Sequence, residues 1–339
     1  MAVTALHREP HSGSRTTSDC RIDPVSTDVA ACTSRAWVPT VVVVILNWNG
    51  AELTLQALAS LRAQTYPNLR AIVVDNGSGD QASEIERITT AHSGCELIAS
   101  PLNLGFAGGC NLGIHAALGS GADYVLLLNN DAILAADTVE RLVETLERRP
   151  GAGAASPLLY YTAAPDRLWW GGGTLTTGAR VLALHDEIDV RRAVDPEDLP
   201  RQSDWLPATV LLVRRAAINA AGLLDTAYFL YWEDVDWSLR IRAAGFDLLA
   251  VRGACAWHAV NASSRSLSNA AVYYWERNRL RFLERWGSWR SRCIAWGKIG
   301  TRLTVWPLWP PRNDPEAPVK LAAYRDYVRR RFGDRGPIA

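Results

Sequence analysis

The sequence has no surplus of either charge: 36 Lys and Arg stand against 35 Asp and Glu, a formal net charge of +1. Nucleic-acid binding calls for a basic excess gathered on one face, so no nucleic-acid partner is expected. There is no closely spaced pair among the cysteines at 20, 32, 95, 110, 255 and 293. Metal-binding and redox spacings are thereby excluded, and independent reduced thiols in a cytoplasmic protein are expected. The first 37 residues lack the apolar run of a signal peptide and read as a disordered leader. Cys293 to Trp309 is broken by Lys298, Arg302 and Pro307, short of the roughly 20 apolar residues of a spanning helix. What remains, 339 residues at 48% hydrophobic and 21% charged, excludes a disordered or fibrous chain.

Short apolar runs alternate with helical periodicity. Val41 to Leu46 and Ala71 to Val74 are β-branched and continuous, the pattern of strands buried on both faces. Between them a helix is expected from about Ala51 to Gln64, stopped by Tyr66-Pro67-Asn68. A second helix should end near Ala91, a weak strand covers Glu96 to Ala99, and a helix follows from Gly105 to Leu118. Tyr124 to Leu128 is a strand, and Thr138 to Arg149 an amphipathic helix with Val139, Leu142, Val143 and Leu146 on one stripe. Strand-helix alternation predicts an α/β fold with a mostly parallel central sheet and helices on both faces. Beyond Pro150 the pattern is weaker: a hairpin or loop-rich excursion over Trp169 to Val181, and a surface loop from Ala183 to Gln202. Order returns with an apolar run Trp205 to Val213, a helix to Ala221, a helix opening at Trp232-Glu233-Asp234 and ending at Gly245, and a strand leading to Trp257-His258.

Ligands of parallel sheets bind at the carboxyl ends of strands, where this sequence puts three polar clusters, around Asn47, Asp75 and Asp131. A carboxylate at Asp131 suits a hard divalent cation, Mg²⁺ or Mn²⁺, which keeps waters and substrate phosphates in its other positions. Asn129-Asn130-Asp131 also suits a plain turn or helix cap. Asp75, before Asn-Gly-Ser-Gly-Asp, either meets a base or ribose or organises a tight turn. The Gly-rich run Asn103 to Asn111 could bring amides to a phosphate at a helix N-terminus. It has neither the dinucleotide spacing nor a Lys-Ser/Thr ending, which disfavours hydride transfer and P-loop chemistry. Glu233, Asp234 and Asp236 at a helix start, beside Trp232 and Trp237, either stabilise the helix terminus or take a proton from a sugar hydroxyl. His258 is a candidate neutral imidazole ligand.

In this order the clusters resemble the family 2 glycosyltransferases of the GT-A fold, and look most like their bacterial rhamnosyltransferase-type branch. The matching pieces lie between Val41 and Leu283: Asn47-Trp-Asn49-Gly, Val-Val-Asp75-Asn-Gly-Ser, Asn103-Leu-Gly105-Phe-Ala-Gly-Gly-Cys-Asn111, Leu-Leu-Asn129-Asn130-Asp131, Trp232-Glu233-Asp234-Val-Asp236, Trp257-His258 and Tyr274-Trp-Glu-Arg277-Asn278. The resemblance implies that Asn47, Asn49, Asp75, Gly105, Asn111, Asn130 and Asp131 bind a nucleotide-diphosphate sugar. It implies Mg²⁺ or Mn²⁺ held by Asp131 and His258, and a catalytic pair of Asp234 as base with Glu233. Trp205 and Trp232 would face the acceptor. Two departures stand out: Asn129 replaces the first acid of the family's D-x-D motif, and Trp205-Leu-Pro207-Ala-Thr209 replaces an aromatic followed by Ser-Gly-Ala.

The expected activity is inverting transfer of a sugar, rhamnose as first guess, to a lipid-linked or glycan acceptor in envelope polysaccharide synthesis. The alternative is a non-catalytic sugar-nucleotide or glycan-binding protein on the same fold. The expected organisation is a leader over 1–37 and a catalytic domain over 38–270. Within that domain, 38–135 forms a nucleotide-binding half and 136–270 an acceptor half. A helical Trp/Arg-rich extension covers 271–339. Six of the 14 tryptophans lie between Trp275 and Trp309, interleaved with Arg and Lys. That pattern suits either peripheral contact with the cytoplasmic face of a membrane or packing of helices onto the domain.

Overall fold

In the computed structural model, residues 38–92, 94–176, 181–183, 200–259, 268–309, 311 and 314–336 are described. The expected leader, and residues 184–199 of the expected surface loop, lie outside them.

The first half alternates as expected: β1 (Val41–Asn47), α1 (Ala51–Arg62), β2 (Leu69–Asn76), α2 (Gln81–Ala91), β3 (Glu96–Ser100), α3 (Gly105–Gly119), β4 (Tyr124–Asn129), a short β5 (Ala132–Leu134) and α4 (Thr138–Arg148). The second half contains β6 (Ala152–Tyr161), β7 (Ala164–Trp170), β8 (Gly173–Leu175), β9 (Val181–Ala183), β10 (Arg201–Gln202), β11 (Val210–Arg214), α5 (Arg215–Ala221), α6 (Glu233–Ala243) and β12 (Asp247–His258). Three helices follow: α7 (Asn269–Trp286), α8 (Trp289–Val305) and α9 (Ala317–Val328).

The main sheet runs β10-β12-β6-β11-β4-β1-β2-β3, with β5 added to β12 and β7 to β6. β1 lies parallel to both β2 and β4, and β3 parallel to β2. Val41 to Ile45 and Tyr124 to Leu128 are almost wholly buried, five in a row in each strand. Unbroken burial requires cover on both faces, which the helices supply. β11 is antiparallel to β4 and β6, while β12 is parallel to β6.

β6 was not foreseen. Its Ala-Gly-Ala-Ala-Ser-Pro start has low strand propensity, and burial between β11 and β12 decides its conformation instead. The expected hairpin near Trp169 to Val181 is formed by β8 and β9, which pair antiparallel.

The glycines of α3 serve packing. A Cβ at Gly113 would stand 2.2 Å from Val44 Cγ1 and one at Gly109 2.4 Å from Leu46 Cδ1. The helix therefore lies directly on β1, closer than any alanine would permit. Its N-terminal amides are taken as well, since Phe106 and Ala107 both donate to the Phe229 carbonyl, at 2.7 and 3.4 Å. The amides that were expected to meet a phosphate are here engaged by that carbonyl.

Candidate active site

The polar ends of β1 and β2 are joined before any ligand is considered. Asp75 is fully buried. One of its oxygens accepts from Asn47 Nδ2 at 2.9 Å and Ser78 Oγ at 2.6 Å, the other from the Ser78 amide at 3.2 Å and Gln81 Nε2 at 2.7 Å. Four donors saturate the carboxylate. Asn47, also fully buried, reaches Glu84 at 3.0 Å and accepts from Thr54 at 2.8 Å. Three of these bonds, from Ser78 and Gln81, organise the turn after Asp75, and the fourth ties it to Asn47 on β1. Asn49, in the left-handed region at φ 51°, accepts the Gly79 amide at 2.8 Å and donates its own amide to Ser78. Thr54, Ser78, Gln81 and Glu84 were not singled out from sequence, because their role appears only when the two strand ends are side by side.

Two expected donor contacts are placed elsewhere. Asn111 bonds the Leu224 backbone with both ends of its amide, at 2.9 and 3.1 Å, tying α3 to the loop before α6. Gly105, at φ +71°, packs on Phe229, where a Cβ would come within 2.4 Å of the carbonyl oxygen. Both are structural joints rather than groups open to a ligand.

Asp131 and His258 meet across the sheet. β5 pairs antiparallel with the end of β12, setting His258 opposite Ala132, and the Asp131 Oδ1 to His258 Nε2 distance is 3.2 Å. Asp131 Oδ1 and His258 Nδ1 are buried with no hydrogen-bond partner. Trp169 stands edge-on to the imidazole at a centroid distance of 4.7 Å. Among the described residues Asn130 makes long contacts, 3.5 Å to the Gly50 carbonyl and 3.4 Å to Thr54. An unsatisfied carboxylate oxygen facing an imidazole fits a divalent cation with mixed oxygen and nitrogen ligands. Among the described residues no cluster of three acidic, His or Cys side chains surrounds such an ion. An ion there would have two protein ligands, with its other positions left to non-protein oxygens.

Glu233 and Asp234 open α6 from a strained loop: Phe229, Tyr231 and Trp232 all have positive φ, at 65°, 67° and 74°. Such backbone persists only where the surroundings hold it. Two fully buried residues of α7 do so. Asn278 Nδ2 donates to the carbonyls of Tyr228, Leu230 and Tyr231 at 2.6, 2.7 and 3.1 Å, and Arg277 Nη2 to those of Ala227 and Tyr228 at 3.2 and 3.1 Å. The sequence showed this pair only as a piece of a resemblance; the loop carbonyls give it a physical task. Asp236 is likewise fully buried and structural, accepting from Trp286 and Arg240, each at 2.8 Å.

Asp234 accepts the Val235 amide at 2.8 Å and, from the unusual Trp205-Leu-Pro-Ala-Thr loop, the Ala208 amide at 3.3 Å. Glu233 is buried and its Oε2 has no partner. Burial first, and the Asp234 charge second, push Glu233 well above the ordinary carboxyl range. Asp234 is raised by burial too, opposed by its backbone hydrogen bonds. The two differ in hydrogen bonding: more backbone amides stabilise the charge on Asp234 than on Glu233, and donors to the charged form favour it. Asp234 is therefore the member suited to be ionised while Glu233 keeps its proton.

Glu233, Asp234, Asn129 and His258 line one cleft of about 870 Å³, together with Trp205 and Trp232. Both tryptophans are buried at its wall, Trp205 edge-on to Trp170 and Trp232 beside Trp275 and Phe282.

Residues 41–193 match the model of Glycosyl transferase family 2. These residues are a family 2 glycosyltransferase domain. The chain is 26% identical over 261 residues to the N-acetylglucosaminyl-diphospho-decaprenol L-rhamnosyltransferase of Mycobacterium tuberculosis, covering 72% of this chain and 84% of that one. It is 26% identical over 207 residues to the galactofuranosyltransferase GlfT1 of Mycolicibacterium smegmatis, covering 60% and 65%. Among solved structures it resembles GalNAc-T7 with UDP, GalNAc and Mn²⁺, at a TM-score of 0.61 and 15% identity over 86% of this chain and 56% of that one. It also resembles the mannosyltransferase PcManGT from Pyrobaculum calidifontis with GDP-Man and Mn²⁺, at 0.52 and 15% over 86% and 88%. The fold of the family 2 domain and its surroundings is GT-A, and the protein is a glycosyltransferase, as the sequence motifs imply.

The buried carboxyl makes a stability prediction. Because its folded pKa is raised, Glu233 disfavours the native state increasingly as pH rises through that pKa and imposes no such cost below the unfolded value. Glu233→Gln keeps the shape and removes the charge. Its melting temperature relative to the parent should be higher at pH 8 than at pH 5, by about 2–4 °C for each kcal/mol relieved. Thermal denaturation at both pH values checks this, and a difference independent of pH would contradict the burial argument.

Proposed function

We propose that the protein is an inverting transferase that moves a sugar, rhamnose as first candidate, from a nucleotide diphosphate to a lipid-linked or glycan acceptor in envelope polysaccharide synthesis. The observation that carries the reading is the common cleft of Asp234 and His258, with Asp131 3.2 Å from that imidazole. Similarity to a diphospho-decaprenol-linked rhamnosyltransferase supports the choice of donor sugar and acceptor class.

In this reading the saturated turn around Asp75, with Asn47, Asn49 and Asn130 beside it, forms the floor under the nucleotide. Mg²⁺ or Mn²⁺, when bound at Asp131 and His258, supplies neutralisation of the charge that grows on the leaving diphosphate. Asp234, fixed by the Val235 and Ala208 amides, draws the proton from the acceptor hydroxyl as its oxygen bonds to the anomeric carbon. The bond to the diphosphate breaks on the opposite side, so a single displacement inverts the centre. Glu233, protonated behind it, keeps a second negative charge away from the base. Trp205 and Trp232 give the acceptor sugar apolar walls.

The tryptophans of the C-terminal helices divide into two sets. Trp286 bonds Asp236, and Trp306 packs on Tyr324. Trp289, Leu308 and Trp309 are exposed at 69%, 84% and 76%, and Arg290 and Arg292, which follow Trp289 at the start of α8, are exposed as well. Among the described residues no helix is long and apolar enough to cross a membrane. An apolar and cationic surface of this kind suits peripheral contact with an anionic leaflet, where a lipid-borne acceptor would be found.

Asp234→Asn should reduce turnover by about 10² to 10⁴ with the donor KM little changed, because a general base acts in the transition state. Nucleoside diphosphate release at the parental rate would refute the assignment. Asp131→Ala should abolish the dependence of donor-induced thermal stabilisation on Mn²⁺, and an unaltered Mn²⁺ titration would remove Asp131 from the metal site. In flotation with phosphatidylglycerol vesicles the protein should rise with the lipid and Leu308→Ser/Trp309→Ser should stay behind; a parent left at the bottom of the gradient defeats the membrane contact.

A further inference from the structure

The cleft does not end at the acids. It continues between α7 and α8, where Arg279, Leu280, Ile294, Lys298, Ile299 and Arg302 line it. Ile294, Lys298 and Arg302 recur every four residues and so form one stripe of α8. Lys298 and Ile294 are exposed while Ile299 is buried, which makes this stripe the mouth of the cleft.

The charge at the mouth is unbalanced. Arg279 pairs with Glu276 at 3.1 Å. Arg302 donates to the Tyr324 hydroxyl and packs over the Trp306 and Tyr324 rings, with centroid distances of 5.0 and 5.2 Å. Among the described residues neither Arg302 nor Lys298 has a carboxylate partner. Cations set into an otherwise apolar cleft wall call for an anion that carries apolar substance with it. One cleft thus holds Asp234 from α6 and these cations from α7 and α8, and the exposed Ile294 lies on the same stripe of α8 as Lys298 and Arg302.

Resting on the glycosyl-transfer reading above, we propose that Arg279, Lys298 and Arg302 form an anion subsite that holds the diphosphate between an acceptor sugar and its lipid. Lys298 would meet the phosphates directly, Arg302 would do so from its seat on Tyr324, whose hydroxyl donates to Glu276, and Arg279, paired with the same Glu276, would complete the subsite. The subsite selects acceptors by their anionic link, with the sugar directed inward to Asp234 and the hydrocarbon outward to the mouth.

Geranyl diphosphate, geraniol and phosphatidylglycerol vesicles, titrated into the full chain with a chelator present and followed by tryptophan fluorescence, test this. Lys298→Gln/Arg302→Gln should weaken geranyl diphosphate binding by about tenfold or more, the scale of one lost charge-assisted bond, and leave geraniol binding as it was. Lys298→Gln alone, at an exposed position, should weaken it in the same direction and keeps the test valid if loss of the Arg302 contacts impairs folding. Equal affinity in parent and variants overturns the subsite. So does a loss confined to the vesicles, which would assign these cations to phospholipid headgroups. A panel of nucleotide-diphosphate sugars with Mn²⁺ separates the two readings. No thermal stabilisation of the parent by any of them sinks glycosyl transfer itself. Stabilisation together with unchanged geranyl diphosphate affinity in the variants sinks the subsite alone.

Discussion

The site depends on a grip between a helix and a loop. Five hydrogen bonds from Arg277 and Asn278 hold the carbonyls of residues 227–231, in a segment whose backbone at Phe229, Tyr231 and Trp232 is left-handed without glycine. Each such residue costs of the order of 1–3 kcal/mol, and only an over-determined environment keeps it so. Carbonyls pointing into a protein interior need donors, and a guanidinium beside a carboxamide brings several from neighbouring positions. The conformation so fixed turns the first residues of α6, and with them both carboxyls, toward the cleft. α7 is therefore part of the active-site scaffold even though it follows the sheet in the chain.

Two carboxyls at one helix start illustrate how environment separates chemical roles. Asp234 keeps amide donors and part of its exposure; Glu233 is enclosed with an oxygen that has no partner. The helix dipole favours negative charge at both, yet burial decides which one carries it. The cost of the enclosed acid is borne by a large core built around almost fully buried strands. Local instability at a reactive centre, compensated by a rigid scaffold, is a common arrangement in enzymes.

Much of the first half was legible in the chain. Unbroken apolar runs gave β1, β2 and β4, and polar residues just after them marked the ligand edge, because periodicity and strand-end position are local properties. β6 was invisible since small residues there take their conformation from neighbours distant in sequence. The antiparallel insertion of β11 was hidden for the same reason. At the site, Asp131 and His258 were read as partners from a resemblance, and the register of β5 on β12 supplies the physical cause. Gly105 and Asn111 had been assigned to a ligand, but they are used in packing and in a loop tie. A motif records which residues occur together, and only coordinates show whether a side chain faces outward or inward. Arg277 and Asn278 had no role readable from spacing, since their partners are main-chain carbonyls, which look alike in every sequence.

The carbonyl of Phe229 sits at the centre of a small but far-reaching joint. It receives amides from the start of α3, and α3 sets two of its glycines directly against the Val44 and Leu46 side chains of β1. The same residue belongs to the segment that delivers the two acids. The start of α3 and the segment leading into α6 consequently share that carbonyl, and with the Asn111 tie to Leu224 neither can shift without breaking hydrogen bonds to the other.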